Sequence, residues 1–223
     1  HDSSGSFIHN LQLDQVAMIE SGKNVPVAGI EEIRPGVQFV VAFNPGAPFA
    51  IRNAQGVSRF ELIKEALQKW ANSRLGTTAD DWSLLIGQES GISHTSDPSE
   101  FIGSLKNADG EQRESQGSMD VLANAVKLAS DPVSRPGMGK AVLFITSAFD
   151  GDIEQAVRDI SDQARAQDIS ISIWLVASRG AVLNQSTQQL LSLAANNGGQ
   201  VFTFSGDETI PNPDGFLDGM RYL

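Results

Sequence analysis

The feature that most constrains this chain is a series of largely apolar runs, each separated from the next by helical spacing. VQFVVAF (Val37 to Phe43) is too continuously apolar for a strand with one wet face, and DWSLLIG (Asp81 to Gly87), AVLFITS (Ala141 to Ser147), SISIWLVA (Ser170 to Ala177) and QVFTFS (Gln200 to Ser205) read as further strands. Between them, apolar residues recur every three or four positions: Phe60, Ile63, Leu67 and Trp70 after the N-cap Ser58, then Val121, Leu122, Ala125, Val126 and Ala129 after Ser118. Ile153, Ala156, Val157, Ile160 and Ala164 form a third stripe between Asp152 and about Gln167, and a fourth helix around Ser186 to Ala195 ends in Asn196-Asn197-Gly198-Gly199. Strands buried on both faces need helices on both faces. The expected fold class is therefore α/β, a doubly wound, mostly parallel sheet covered on both sides.

Smaller elements fill in around this frame. GISHTS (Gly91 to Ser96) follows its strand so closely that only antiparallel pairing can be reached, which makes it a short edge strand. Asp97 to Leu105 reads as a short helix with Pro98 in its first turn, Asp109 to Gln116 as a polar loop, and Phe216, Leu217, Met220 and Leu223 as a last short helix. LQLDQVAMI (Leu11 to Ile19) and VPVAGIEEI (Val25 to Ile33) flank the turn-forming Ser21-Gly22-Lys23-Asn24 and predict an N-terminal β-hairpin. The polar start, His1 to Ser6, reads as a processed or tagged end and is left out of the fold. Two regions result: a tail and hairpin over 1–35, and one α/β domain over 36–223.

Composition then removes whole classes of function. With 16 Lys+Arg against 27 Asp+Glu the net charge is -11, which disfavours nucleic acid and anionic membrane as partners. No apolar run approaches membrane-spanning length, so no membrane insertion is expected of this chain. The absence of Cys excludes disulfides, thiolate metal sites and a cysteine nucleophile. Three His, two of them in the first ten residues, leave little for a zinc site or an imidazole base. No cofactor is expected.

In an open doubly wound sheet, ligands bind beyond the carboxyl ends of the strands. The loop after the first central strand, Asn44-Pro45-Gly46-Ala47-Pro48-Phe49-Ala50-Ile51-Arg52, is long and stiffened by two prolines. A strand, this loop, an amphipathic helix, a strand with an antiparallel hairpin partner, Gly117-Ser118 at a helix start, and then FITSAFDGD make an ordered series that resembles the von Willebrand factor A domain over roughly residues 36–223. The resemblance implies a Rossmann-like sheet and a metal-ion-dependent adhesion site, where an Asp-x-Ser-x-Ser loop, a Thr and a second strand-end Asp gather a divalent cation. Residue by residue, the first Asp position falls on Asn44, the Ser positions on Gly46 and Pro48, the Thr position on Ser118 and the second Asp position on Ser147. Only Ser118 keeps a comparable hydroxyl. Hard cations want anionic oxygens, so the site is expected to be degenerate and metal-free, with Asp120, Asp150 and Asp152 nearby as cap and loop residues or, alternatively, as substitute ligands.

Other chemistries find less support. Asn44 to Gly56 lacks the Gly-x-Gly-x-x-Gly spacing of a dinucleotide site, and Pro136-Gly137-Met138-Gly139-Lys140 precedes a strand and reads as a tight turn. Ser147 has no flanking glycines and no His follows His94, which argues against a serine hydrolase. His94 is expected to be a surface residue of the edge strand, and Trp70, Trp82 and Trp174 to be core. Phe49 and Ile51 are expected to tuck under their loop, and Glu31-Glu32, Asp80-Asp81 and Asp109 to Glu114 to be solvated turns.

The sequence therefore points to a non-enzymatic protein-recognition module, for adhesion or assembly, within a larger exported bacterial protein at the cell surface or outside the cell. It would bind an unidentified protein through the strand-end rim formed by Asn44, Pro45, Gly46, Ser118, Ser147 and Asp150, without an obligatory metal. The alternatives are a structural spacer with no ligand at the rim and a metal-dependent adhesion domain using substitute ligands.

Overall fold

The computed structural model describes residues 8–76, 79–109, 117–177 and 184–221. Its centre is β3 (Val37–Asn44), every residue of which is buried. β3 pairs in parallel with β4 (Asp81–Ile86) on one side and β6 (Gly139–Thr146) on the other, and the sheet continues through β7 (Ile169–Val176) to β8 (Val201–Phe204). β5 (Glu89–Thr95) pairs antiparallel with β4, giving the order β5-β4-β3-β6-β7-β8. This is the doubly wound, mostly parallel sheet with one antiparallel edge that the apolar runs imply.

Alternate residues of β3 feed two separate cores. Val37, Phe39, Val41 and Phe43 pack with Phe60, Ile63, Leu67 and Trp70 of α1 (Arg59–Ser73) and with Phe101 and Leu105 of α2 (Pro98–Asn107). Val40 and Ala42 face α3 (Met119–Ala129), α4 (Glu154–Ala166) and α5 (Gln185–Asn196), whose inward residues include Val121, Ala125, Ile160, Ala164, Leu190 and Leu193. Each large aliphatic buried this way contributes about 1.5–3 kcal/mol before conformational entropy is set against it. Trp70, Trp82 and Trp174 are all core, with Trp70 and Trp82 ring centroids 4.6 Å apart.

Helix ends follow their local chemistry. Ser58 caps α1 by accepting from the Glu61 N–H, Asp97 caps α2 ahead of Pro98, and Ser118 caps α3 by accepting from the Asp120 N–H. The Pro136-Gly137 turn, with Gly137 at φ 81°, ends earlier than expected, since Gly139 and Lys140 already belong to β6.

At the N-terminus the hairpin is shorter than the sequence pattern suggests. Only β1 (Met18–Glu20) and β2 (Lys23–Val25) pair, around a two-residue turn in which Ser21 and Gly22 both have positive φ. Pro26 has no N–H to continue the ladder, and Leu13–Gln15 forms a single 3-10 turn instead of strand.

At the amino ends of the strands, a strap made of α6 (Asp214–Leu217) and a following 3-10 turn crosses beneath the sheet. Phe216 packs on Phe39, and Arg221 reaches Asp80. The acidic pair Asp80-Asp81 is thus not a solvated turn: Asp80 is 1% exposed and Asp81 6%. Burial of a carboxylate here is sustained by a guanidinium partner that lies 141 residues away in sequence. Leu223 and most of the expected loop from Asp109 to Gln116 lie outside the described residues.

Candidate functional site

The first crossover carries the chain from β3 to β4 on one side, and β6 then returns to the other side of β3. The crevice of such a sheet opens where these directions diverge, above the carboxyl ends of β3 and β6. Asn44 and Thr146 are register partners there.

Asn44 is 1% exposed and both ends of its amide are used. Its Nδ2 donates to Thr146 Oγ1 at 2.8 Å, and its Oδ1 accepts from the backbone N–H of Ser118 at 3.0 Å. The Thr146 hydroxyl donates in turn to the Ser147 carbonyl at 2.9 Å. Gly117 is required for this approach, because a Cβ there would lie 2.7 Å from Asn44 Nδ2. One neutral amide therefore ties β3, β6 and the start of α3 together. We expect Asn44→Ala, which leaves the Ser118 N–H without this acceptor and the Thr146 hydroxyl without this donor, to cost about 2 kcal/mol. That corresponds to a melting temperature lower by about 4–8 °C, measurable by calorimetry or circular dichroism.

The remaining rim residues take different places. Pro45, Gly46 and Ser147 are buried, Ser118 is half-buried and Asp150 is exposed. Phe49 is fully buried against Phe60 as expected, but Ile51 is 49% exposed, contrary to the expectation that both tuck under the loop. Ile51 immediately follows the 3-10 turn Ala47–Ala50, so its side chain leaves the core as the chain turns toward Ser58. The acidic groups nearby are occupied locally. Asp120 Oδ2 accepts from Ser118 Oγ at 2.9 Å, and Asp152 Oδ1 accepts from the Glu154 N–H and from Gln189 Nε2, each at 2.9 Å. Those bonds, from Gln189 first and then Glu154, hold the Asp152 carboxyl below the ordinary range. Beyond β8, hydrogen bonds from the Ser205 hydroxyl and N–H bring Glu208 down to about 2.

This donor set does not fit a divalent cation. The only side-chain oxygen at the first position is the amide oxygen of Asn44, already accepting a hydrogen bond, and Gly46 and Pro48 have no side-chain oxygen at all. Among the described residues, no group of three or more His, Cys, Asp or Glu side chains gathers to hold a metal. Neither Thr146 nor Gly117 is among the rim residues expected from sequence. The strand-end run FITS contained the signal, but only the β3–β6 register shows that Thr146 and not Ser147 faces Asn44.

His94, expected as a plain surface residue, lies at the opposite pole. Its ring nitrogens are 3.1 Å from Asp81 Oδ2 and 3.1 Å from Asp131 Oδ2, so it takes part in no arrangement with Ser118 or Ser147.

The sheet order, the single antiparallel edge and the crevice above β3 and β6 define a von Willebrand factor A-like fold. Solved structures similar to it include an aerotolerance-related membrane protein from Bacteroides fragilis, carrying multiple mutations to serine, and the SpRpn10 VWA domain. The first is 15% identical with a TM-score of 0.57 over 83% of this chain and 98% of its own, and the second is 13% identical with a TM-score of 0.56 over 83% and 93%. No protein-family model matches the chain, and no curated protein matches it in sequence.

Proposed function

We propose that this domain is a non-enzymatic protein-recognition module that binds through its strand-end rim without an obligatory divalent cation. The observation that carries this reading is the Asn44 side chain. At the position where the related adhesion site would place its first carboxylate, a neutral amide is fully engaged by Thr146 and Ser118. Because Asn44, Pro45, Gly46 and Ser147 are buried, their role is to shape the rim, while Ser118, Asp150 and the exposed Ile51 are the groups positioned to touch a partner. Such a module suits an exported or surface-tethered bacterial protein, a reading supported by the likeness in fold to the Bacteroides fragilis membrane protein.

The test is thermal unfolding in EDTA and in millimolar Mg2+, Mn2+ or Ca2+. A cation at 100 times its dissociation constant adds about 2.7 kcal/mol to the folded state. For a chain of this size that is about 5–10 °C. Coincident curves are expected, and a rise of several degrees with any of the three ions would defeat the metal-free reading. The alternative of a spacer with no ligand draws on the same burial, since much of the rim is hidden. It predicts that charge reversal at Asp150 and replacement of Ile51 by Lys leave every association of the parent protein unchanged.

A further inference from the structure

His94 sits in an unusual setting for a residue on an edge strand. Its backbone is left-handed, at φ 55°, in a part of β5 where the pairing with β4 slips register. Its N–H donates to Ser83 Oγ at 2.9 Å. Nδ1 faces Asp81 Oδ2 from β4, and Nε2 faces Asp131 Oδ2 from the loop after α3, both at 3.1 Å. A neutral imidazole carries one N–H and one lone pair, so it can donate to only one of these carboxylates and would turn a lone pair toward the other. Two carboxylates on the two ring nitrogens are matched only by the imidazolium. Asp81 has little else to rely on, because its Oδ1 is buried and has no hydrogen-bond partner among the described residues.

We propose that His94 is a proton-operated clasp: as imidazolium it ties edge strand β5 to Asp131 after α3, and loss of the proton gives up that one tie while Gln38 and Arg135 keep the loop in place. The buried Asp81 keeps its N–H, so the proton leaves from Nε2 and the contact given up is the one to Asp131, whose side chain is 53% exposed. Asp81 and Asp131 are the charged groups acting on the ring, and Gln38 of β3, which holds the Asp131 carbonyl, and Ser83 are neutral. Burial is the largest single influence on His94 and lowers its pKa, but hydrogen bonding to Asp81 and Asp131 together with their charge outweighs it, and the net direction is upward. A raised folded-state value means that the clasp's contribution is complete below the unfolded His value of about 6.5 and is lost as pH rises through the folded value.

The clasp is independent of the reading given to the rim, and its test needs no partner. With three His in the chain, the imidazole resonances can be followed one by one by NMR as pH is raised. The His94 midpoint is expected above the ordinary value of about 6.5 and should fall toward it in Asp131→Asn. His94→Asn keeps a side chain that tolerates the left-handed backbone. It should melt about 2–4 °C below the parent at pH 6, with at least half of that gap gone by pH 9. A midpoint at or below the ordinary value, a midpoint that Asp131→Asn does not move, or a gap that is the same at both pH values overturns the proposal. If His94→Asn fails to fold, the two NMR midpoints decide it alone.

Discussion

Arg221→Ala is expected to destabilise the domain by about 3–5 kcal/mol, because it takes a buried guanidinium away from the buried carboxylate it grips. Arg221 is 6% exposed and grips the 1% exposed Asp80 with Nε at 3.0 Å and Nη2 at 2.8 Å, while Nη1 donates to Asp214 at 2.9 Å. Asp80 also accepts from the Val37 N–H at 3.0 Å, so the first residue of the central strand hangs on the same carboxylate. Asp214 is shared with Trp70 Nε1 and Arg74. Burial alone would raise the Asp214 pKa, but the hydrogen bonds from Arg74 and Trp70 and the Arg221 charge bring it below the ordinary value. Arg221→Lys should recover only part of the loss, since an ammonium cannot reproduce the forked contact. The double change Asp80→Asn with Arg221→Met removes both charges and should lie well above Arg221→Ala in urea denaturation. If it is no better, the charge account is wrong.

Gly199→Ala is the second severe change, expected at about 4 kcal/mol. A Cβ at Gly199 would lie 1.8 Å from the Ile171 carbonyl oxygen and 2.3 Å from its carbon, which is backbone that cannot step aside without parting β7 from β8. The neighbouring Gly198→Ala is a useful contrast. Gly198 has φ 67° and open space around it, so its replacement costs only the left-handed backbone, about 1 kcal/mol. Together the two form a helix stop: Gly198 makes the turn, and the Gly199 N–H returns to the Ala194 carbonyl at 3.0 Å. Equal melting temperatures for the two variants would show that the approach to β7 has been misjudged.

Much of this architecture could be read from residue order alone. The apolar runs at β3, β6 and β7 admit only a sheet covered on both faces, and Ser58 declares itself as a cap by type and position, while Asp97 and Ser118 mark helix starts whose capping bonds only the structure shows. What could not be read is anything that depends on register or on distant partners. Asp80 and Asp81 look like turn residues until Arg221 and His94 are seen beside them. Thr146 looks like one more strand residue until Asn44 is found opposite. The hairpin was overextended because its flanking residues are β-prone by composition, yet Ile8, Leu11, Leu13, Met18, Ile19, Ile30 and Ile33 all remain well exposed. Propensity without a surface to pack on does not make a long ladder.

The strap beneath the sheet also has a mechanical consequence. The Gly36 N–H meets the Arg221 carbonyl at 3.4 Å, so the residue leading into β3 and the end of the strap share one small patch. Asn44 sits at the far end of the eight-residue β3, about 25 Å from that patch. Tension applied between residues 36 and 221 would therefore bear on the guanidinium fork at this pole, a strand's length away from the rim.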